Sequence, residues 1–405
     1  MKSSAHYDRR LVGWLSLAQL IGWGSIFYTF SLIMEPVERE LGLSRAESSL
    51  AFSIALLVEG LLAYPVGRLI DRGYERIVMT TGSVLAGVCL AMQGTVSGAA
   101  GFYLAWAGLG AAMAGVLYSP AFAVVTRRFP GDFRRAIITM TFLGGLASTV
   151  FIPLTAAAIE AWGWRQALMG LGVLHLLVCA PLHAITLRRA PRAPATPKPS
   201  GGRIVPQGVF GIIRGAPFLL IGLFVMLMTA VSVALPAHMV SLLREHGMSE
   251  RWVIAIPASI GVIQVFGRLL LFFFEHHFDL HLANRLIPGL IPIGLVALLA
   301  APLLVDGQMW AVLLFVLMFG MGNGMLTIVK GTAMAQYVNR DHVATLNGVM
   351  GLPLALARAA APLALGLMWT AQSGYTYGLW MLLAFSLVGV GALMLAQRVS
   401  PARHG

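Results

Sequence analysis

Four ionisable side chains lie inside stretches otherwise built from apolar residues: Glu59, Arg268, Lys330 and Arg358. Charge in such a setting is costly and marks a candidate functional group. A guanidinium grips a carboxylate through two parallel hydrogen bonds, so Arg268 and Arg358 are candidate anion receptors. Arg268 follows Gln264 by one helical turn and Gly261 by two, which gives a narrow polar face. Arg358 shares a face with Asn347, Gly351, Ala355 and Pro362, whose small side chains leave room for its head group. Glu59 lies among Ala55, Gly60 and Ala63 and either carries a proton, neutralises Arg358 or faces water in a structural role. Lys330 shares a face with Asn323 and Thr327 and is near enough to a helix end to snorkel, which leaves Asn323 as the deeper polar group. Gln19 and Trp23 share another face, and Tyr28, Tyr64 and Tyr118 offer hydroxyls.

Other chemistry is poorly supported. The sequence has no GxxxxGK[ST] phosphate loop, HExxH, CxxC or GxSxG. Cys89 and Cys179 stand alone in apolar runs and read as small core residues. His276 and His277 lack a third ligand for a metal, and His175 and His238 read as structural. An enzyme is not expected, nor a cofactor, a metal or a nucleic-acid partner.

The elements that hold these residues must be membrane helices. Of 405 residues, 58% are hydrophobic and 11% charged, against about 25% charged in a soluble domain. Runs long enough to span a bilayer, about 20 residues each, fall near 12–34, 47–69, 77–97, 101–126, 136–158 and 164–187. A second set falls near 215–240, 250–274, 285–305, 309–336, 344–369 and 375–397. Between the sets, RRAPRAPATPKPSGGR (188–203) reads as a hydrated linker. The expected organisation is an N-terminal six-helix half (1–187), a linker (188–214) and a C-terminal six-helix half (215–405). With the N-terminus inside, nineteen Lys and Arg fall in cytoplasmic segments and five (Arg39, Arg45, Arg165, Arg244, Arg251) outside. The net charge of +12 is thus mainly a topology signal, with both termini and the linker cytoplasmic.

At the end of the second span the chain reads GRLIDRGYER (Gly67–Arg76). This resembles the signature loop of the major facilitator superfamily. Gly67 would permit close helix approach, and Asp71, with Arg72 and Arg76, would form a cytoplasmic latch. In the second half GRLLLFFFEHHFD (Gly267–Asp279) keeps the glycine and arginine without the early acid. GLGAAMAGVLY (Gly108–Tyr118) and GMGNGMLTIVK (Gly320–Lys330) echo each other, and AWGWRQAL (Ala161–Leu168) also resembles the superfamily. The resemblance implies an all-α polytopic fold of twelve transmembrane helices in two six-helix halves around a central cavity, with alternating access by rocking.

LYSPAFAVVTRRFPGDFRRA (Leu117–Ala136) is similar to the pattern of the bacterial monocarboxylate and oxalate–formate porters. That branch implies a small organic anion as substrate, moved with protons or by exchange across the bacterial inner membrane by a monomer. Arg268 and Arg358 resemble its intramembrane cation pair. A substrate site of Arg358, Arg268, Gln264, Asn323, Asn347, Tyr118, Gln19 and Tyr28 is therefore expected, with Glu59 as coupling group. The alternative is a proton-driven efflux pump for drugs or other toxic compounds. Against it, Leu104, Ala105 and Trp106 stand where such pumps place an arginine, and Pro153 is displaced from their glycine–proline motif.

Overall fold

The computed structural model describes residues 8–129, 132–188, 207–274, 280–304, 307–339 and 342–400. Most of the expected linker and the His276–His277 pair lie outside them. Apart from one isolated bridge, Thr370 to Gly374, the described secondary structure is helical. Two compact units divide the chain, Met1–Thr196 and Pro197–Gly405.

The first unit holds α1 (Arg9–Gly22), α2 (Thr29–Leu41), α3 (Arg45–Asp71), α4 (Glu75–Gln93), α5 (Ala99–Val116), α6 (Tyr118–Arg128), α7 (Phe133–Gly145), α8 (Ala147–Leu174) and α9 (Ala180–Thr186). A π-helical stretch, Trp23–Tyr28, joins α1 to α2, and another, His175–Cys179, joins α8 to α9. The second unit holds α10 (Gln207–Arg214), α11 (Ala216–Glu245), α12 (Glu250–Phe274), α13 (Leu280–Ala300), α14 (Gln308–Tyr337), α15 (Val343–Leu367) and α16 (Thr376–Val399). Helix α10 falls inside 188–214, the segment expected to be linker; Val209, Phe210, Ile212 and Ile213 recur there at helical spacing.

Among the described residues, eleven helical stretches are long and apolar enough to cross a membrane. One of them, Arg135–Thr186, has 52 residues, about 78 Å of helix against a hydrocarbon core of about 30 Å. It breaks at Gly163, where φ is 80° and ψ 160°, so it accounts for two crossings. Twelve crossings result. Large apolar side chains such as Leu61, Leu177 and Trp310 stay exposed, as lipid-facing groups do.

The span expected at 101–126 is broken at Leu117, which is extended. Pro120 has no N–H to give the Val116 carbonyl four residues back. The side-chain amide of Gln19 donates to that carbonyl instead, at 2.7 Å.

Lipid tails supply no hydrophobic drive for helix association, so close packing by small residues matters. In the first unit α5 packs on α3 and α4; in the second α14 packs on α12 and α13. The echoed glycine runs lie on these seams. A Cβ on Gly110 would land on the Ala55 backbone, and one on Gly324 on the Gln264 backbone. Gly67 is different from expectation: a Cβ there meets nothing within 4 Å, because α3 approaches α5 through Ala55 and not through Gly67. Gly110→Ala is therefore expected to destabilise the purified protein by about 1–3 kcal/mol, while Gly67→Ala leaves thermal unfolding unchanged.

Candidate substrate-binding site

The second unit has an open cavity of about 340 Å³ lined by Val225 and Thr229 of α11, Lys330, Gly331 and Met334 of α14, and Asn347, Met350 and Leu354 of α15. Small-molecule pockets are mostly apolar with a few placed polar groups, and run to about 300–1,000 Å³. Here the polar groups are Thr229, Lys330 and Asn347. Lys330 Nζ donates to Thr229 Oγ1 at 3.1 Å. Thr229 stands near the midpoint of α11, whereas Lys330 is seven residues from the end of α14. The ammonium therefore points inward along the unit, and the snorkelling expected from sequence does not occur. No carboxylate of the unit pairs with it among the described residues.

Arg358 lies on the same helix face as two of the lining residues. Asn347, Leu354 and Arg358 follow at seven and four residues along α15, one face of a helix. Arg358 is half-buried, and its charge and that of Lys330 are close enough to interact. Two cations thus share one region of the second unit.

Arg268 is placed elsewhere. It lies on the α12–α14 seam and donates from Nε to the Gly324 carbonyl at 3.1 Å. Gln264, one turn earlier, is buried, and its backbone lies against Gly324. Asn323 is half-buried on α14, and its carbonyl is 3.4 Å from the Thr327 hydroxyl. Of the pair expected from sequence, Arg268 stands on that seam; the cation that lines the cavity is Lys330, with Arg358 near enough for their charges to interact. Sequence reasoning missed Thr229, a lone hydroxyl in an apolar run with no periodic signal.

In the first unit, Gln19 is fully buried by its bond to Val116, and its Oε1 has no protein partner. The Trp23 ring packs 5.0 Å from that of Tyr118, which stacks on Phe122 at 5.1 Å. Tyr28 meets Phe27 edge-on at 5.4 Å. Gln19, Trp23 and Tyr118 are thus brought together at the break in the fourth crossing. Tyr64 is exposed, with Arg68 over its ring at 5.9 Å. Glu59 is half-buried at the middle of α3.

His175 and His238 read as structural, and each is buried in a hydrogen bond. His175 Nε2 lies 2.7 Å from Ser25 Oγ, whose own proton goes to the Ile21 carbonyl, so Nε2 carries the imidazole proton. His238 Nε2 lies 3.0 Å from the Pro362 carbonyl and Nδ1 2.9 Å from the Tyr375 hydroxyl, which ties α11 to α15 and to the start of α16.

Residues 15–362 match the sequence profile of the Major Facilitator Superfamily. The chain belongs to this superfamily. Over 155 residues it is 32% identical to an uncharacterised 38 kDa protein in the 23S RNA operon of Thermoproteus tenax, covering 38% of this chain and 40% of that protein. Over 259 residues it is 25% identical to YcxA, an uncharacterised MFS-type transporter of Bacillus subtilis (strain 168), covering 62% and 61% respectively. The chain thus spans less than two thirds of the length of these curated relatives. The crystal structure of the nucleoside transporter NupG superposes with a TM-score of 0.75 at 14% identity, over 96% of this chain and 99% of that one. A bacterial homologue of the human lysosomal transporter Spinster, inward-facing and occupied, gives 0.73 at 18%, over 97% and 98%. Both carry the same fold as this member of the superfamily.

The superfamily loop Gly67–Arg76 is arranged differently from expectation. Asp71 is exposed at the C-terminal end of α3, where the helix dipole disfavours a carboxylate. The buried acid is Glu75 in the first turn of α4, where the dipole favours it. Its Oε1 accepts from Arg128 Nε at 2.6 Å and its Oε2 from Arg127 at 3.4 Å; Arg127 also donates to the Ile70 carbonyl. Arg128 reaches the Leu187 carbonyl at 3.1 Å, and Arg76 the Ala184 carbonyl at 2.8 Å. These bonds join α3, α4, α6 and α9 above an apolar cluster that includes Leu11, Ile70, Val78, Val125, Met140 and Leu187. Arg72 is exposed.

Proposed function

We propose that this superfamily transporter moves a small organic anion, in the first instance a carboxylate, across the bacterial inner membrane by alternating access, with the more basic face cytoplasmic. The observation that carries this reading is Lys330: an ammonium lining a cavity, bonded to one hydroxyl, with Arg358 near it and, among the described residues, no acid of its own unit paired to it. An ammonium offers three donors, and two neighbouring cations are stabilised by an anion placed between them. A carboxylate supplies that charge and accepts from both. A neutral nucleoside, the kind of solute named for one structural neighbour, would leave the Lys330 charge uncompensated. Asn347 and Thr229 add neutral hydrogen bonds for the rest of the solute.

The test is counterflow in proteoliposomes with a panel of organic acids. Arg358→Ala is expected to lose counterflow, and Arg358→Lys to lose most of it because an ammonium cannot replace the planar fork. Full transport by Arg358→Ala would overturn the anion reading. Glu59→Gln distinguishes the two driving modes: a proton-coupled carrier loses uptake driven by a pH gradient but keeps counterflow, whereas an exchanger has no pH-driven uptake to lose and keeps counterflow.

A further inference from the structure

In each unit the third and sixth crossings meet at a seam that carries two arginines. In the first unit Arg76, at the start of α4, donates from Nε to the Ala184 carbonyl of α9 at 2.8 Å. Arg188 follows Ala184 by four residues, just beyond the end of α9, and is exposed. In the second unit Arg285, near the start of α13, donates from Nε to Gln397 Oε1 of α16, and the next residue, Arg398, is exposed. Helix α4 packs on α9, and α13 on α16, so each pair straddles its seam. Among the described residues no carboxylate pairs with any of the four arginines. Glu75, beside Arg76 in the chain, is already held by Arg127 and Arg128. Apolar side chains stand open next to these charges: Ile77 and Ile185 in the first unit, Leu286 and Leu395 in the second. All four belong to membrane-spanning stretches, and the arginines sit where those stretches end.

We propose that each seam binds an anionic phospholipid of the cytoplasmic leaflet, with the headgroup phosphate on the two arginines and the acyl chains along the exposed aliphatic residues. The bond from Nε fixes the inner guanidinium of each pair and leaves its Nη groups to donate. That fork matches a phosphate, and basic residues at a membrane surface attract anionic lipid. The inner arginine is placed alike in both units although its acceptor differs, a backbone carbonyl in one and a glutamine oxygen in the other. In the first unit Tyr74 adds an exposed phenol beside Arg76, a side chain suited to the headgroup level. The aliphatic flank selects a lipid over free phosphate.

Native mass spectrometry of the full-length protein, released from micelles containing dioleoylphosphatidylglycerol or dioleoylphosphatidylcholine, tests the sites. Two phosphatidylglycerol molecules should be retained preferentially, and inorganic phosphate should not displace them. Arg76→Gln with Arg188→Gln should lose one of the two. Arg188→Gln and Arg398→Gln, whose side chains bond nothing else among the described residues, should each weaken one site about 10-fold, as for loss of one charge-assisted hydrogen bond. Arg39→Gln with Arg72→Gln removes two exposed charges away from the seams and should change nothing. Equal retention of the two lipids, displacement by inorganic phosphate, undiminished retention in folded Arg188→Gln and Arg398→Gln, or an equal loss in the Arg39 and Arg72 control would each overturn the proposal.

Discussion

Lys330→Met is expected to lower the apparent affinity for a transported carboxylate by about 10- to 100-fold, the worth of one charge-assisted hydrogen bond, without destabilising the fold. The two halves of this expectation come from the same geometry. The ammonium sits beside the Thr229 hydroxyl and near Arg358, and no acid of its unit pairs with it among the described residues. Such a charge contributes little to the empty protein and costs desolvation. Methionine fills nearly the same volume without the charge, so the thermal unfolding midpoint should hold or rise. Counterflow and unfolding measured on one preparation check both halves. A merely structural lysine would behave in the opposite way, and Thr229→Val would then destabilise as much as Lys330→Met.

The second large effect is on stability. Glu75→Ala is expected to destabilise the protein by about 3–5 kcal/mol, the usual cost of removing one partner from a buried ion pair. Glu75 is 0% exposed, and the Arg127 and Arg128 side chains are 16% and 11% exposed, so water replaces the lost carboxylate poorly. Asp71→Ala, a surface change in the same loop, should stay within about 0.5 kcal/mol. Denaturant or thermal unfolding of the two variants gives the contrast. Equal effects would mean that Asp71 carries the latch after all.

The architecture was readable from sequence because its signals are long-range sums. Hydrophobic length gave the crossings, and Gly110 and Gly324 lie in the echoed runs whose small residues allow close packing. Breaks were harder to read. Leu117 is extended because Pro120 withholds a donor inside a run that stays apolar throughout, and periodicity does not register that. The candidate site was half legible. Arg358 and Asn347 share a face of one helix, which spacing reveals. Lys330 depends on which way a flexible side chain turns, and Thr229 belongs to a helix far away in the chain; neither is a local property. Arg268 read as an anion receptor alongside Arg358, yet the α12–α14 seam takes its guanidinium to the Gly324 carbonyl. In the Gly67–Arg76 loop the motif drew attention to Asp71, while the helix start at Glu75 decides which acid is buried.

The central claim is that Lys330 holds a carboxylate, and the most direct measurement is thermal unfolding of the purified protein with matched acid and amide pairs. Organic acids should raise the midpoint of the parent protein, their amides should not, and Lys330→Met should need about 10- to 100-fold more acid for the same shift. Equal stabilisation by an acid and its amide, or an undiminished acid response in Lys330→Met, would contradict it.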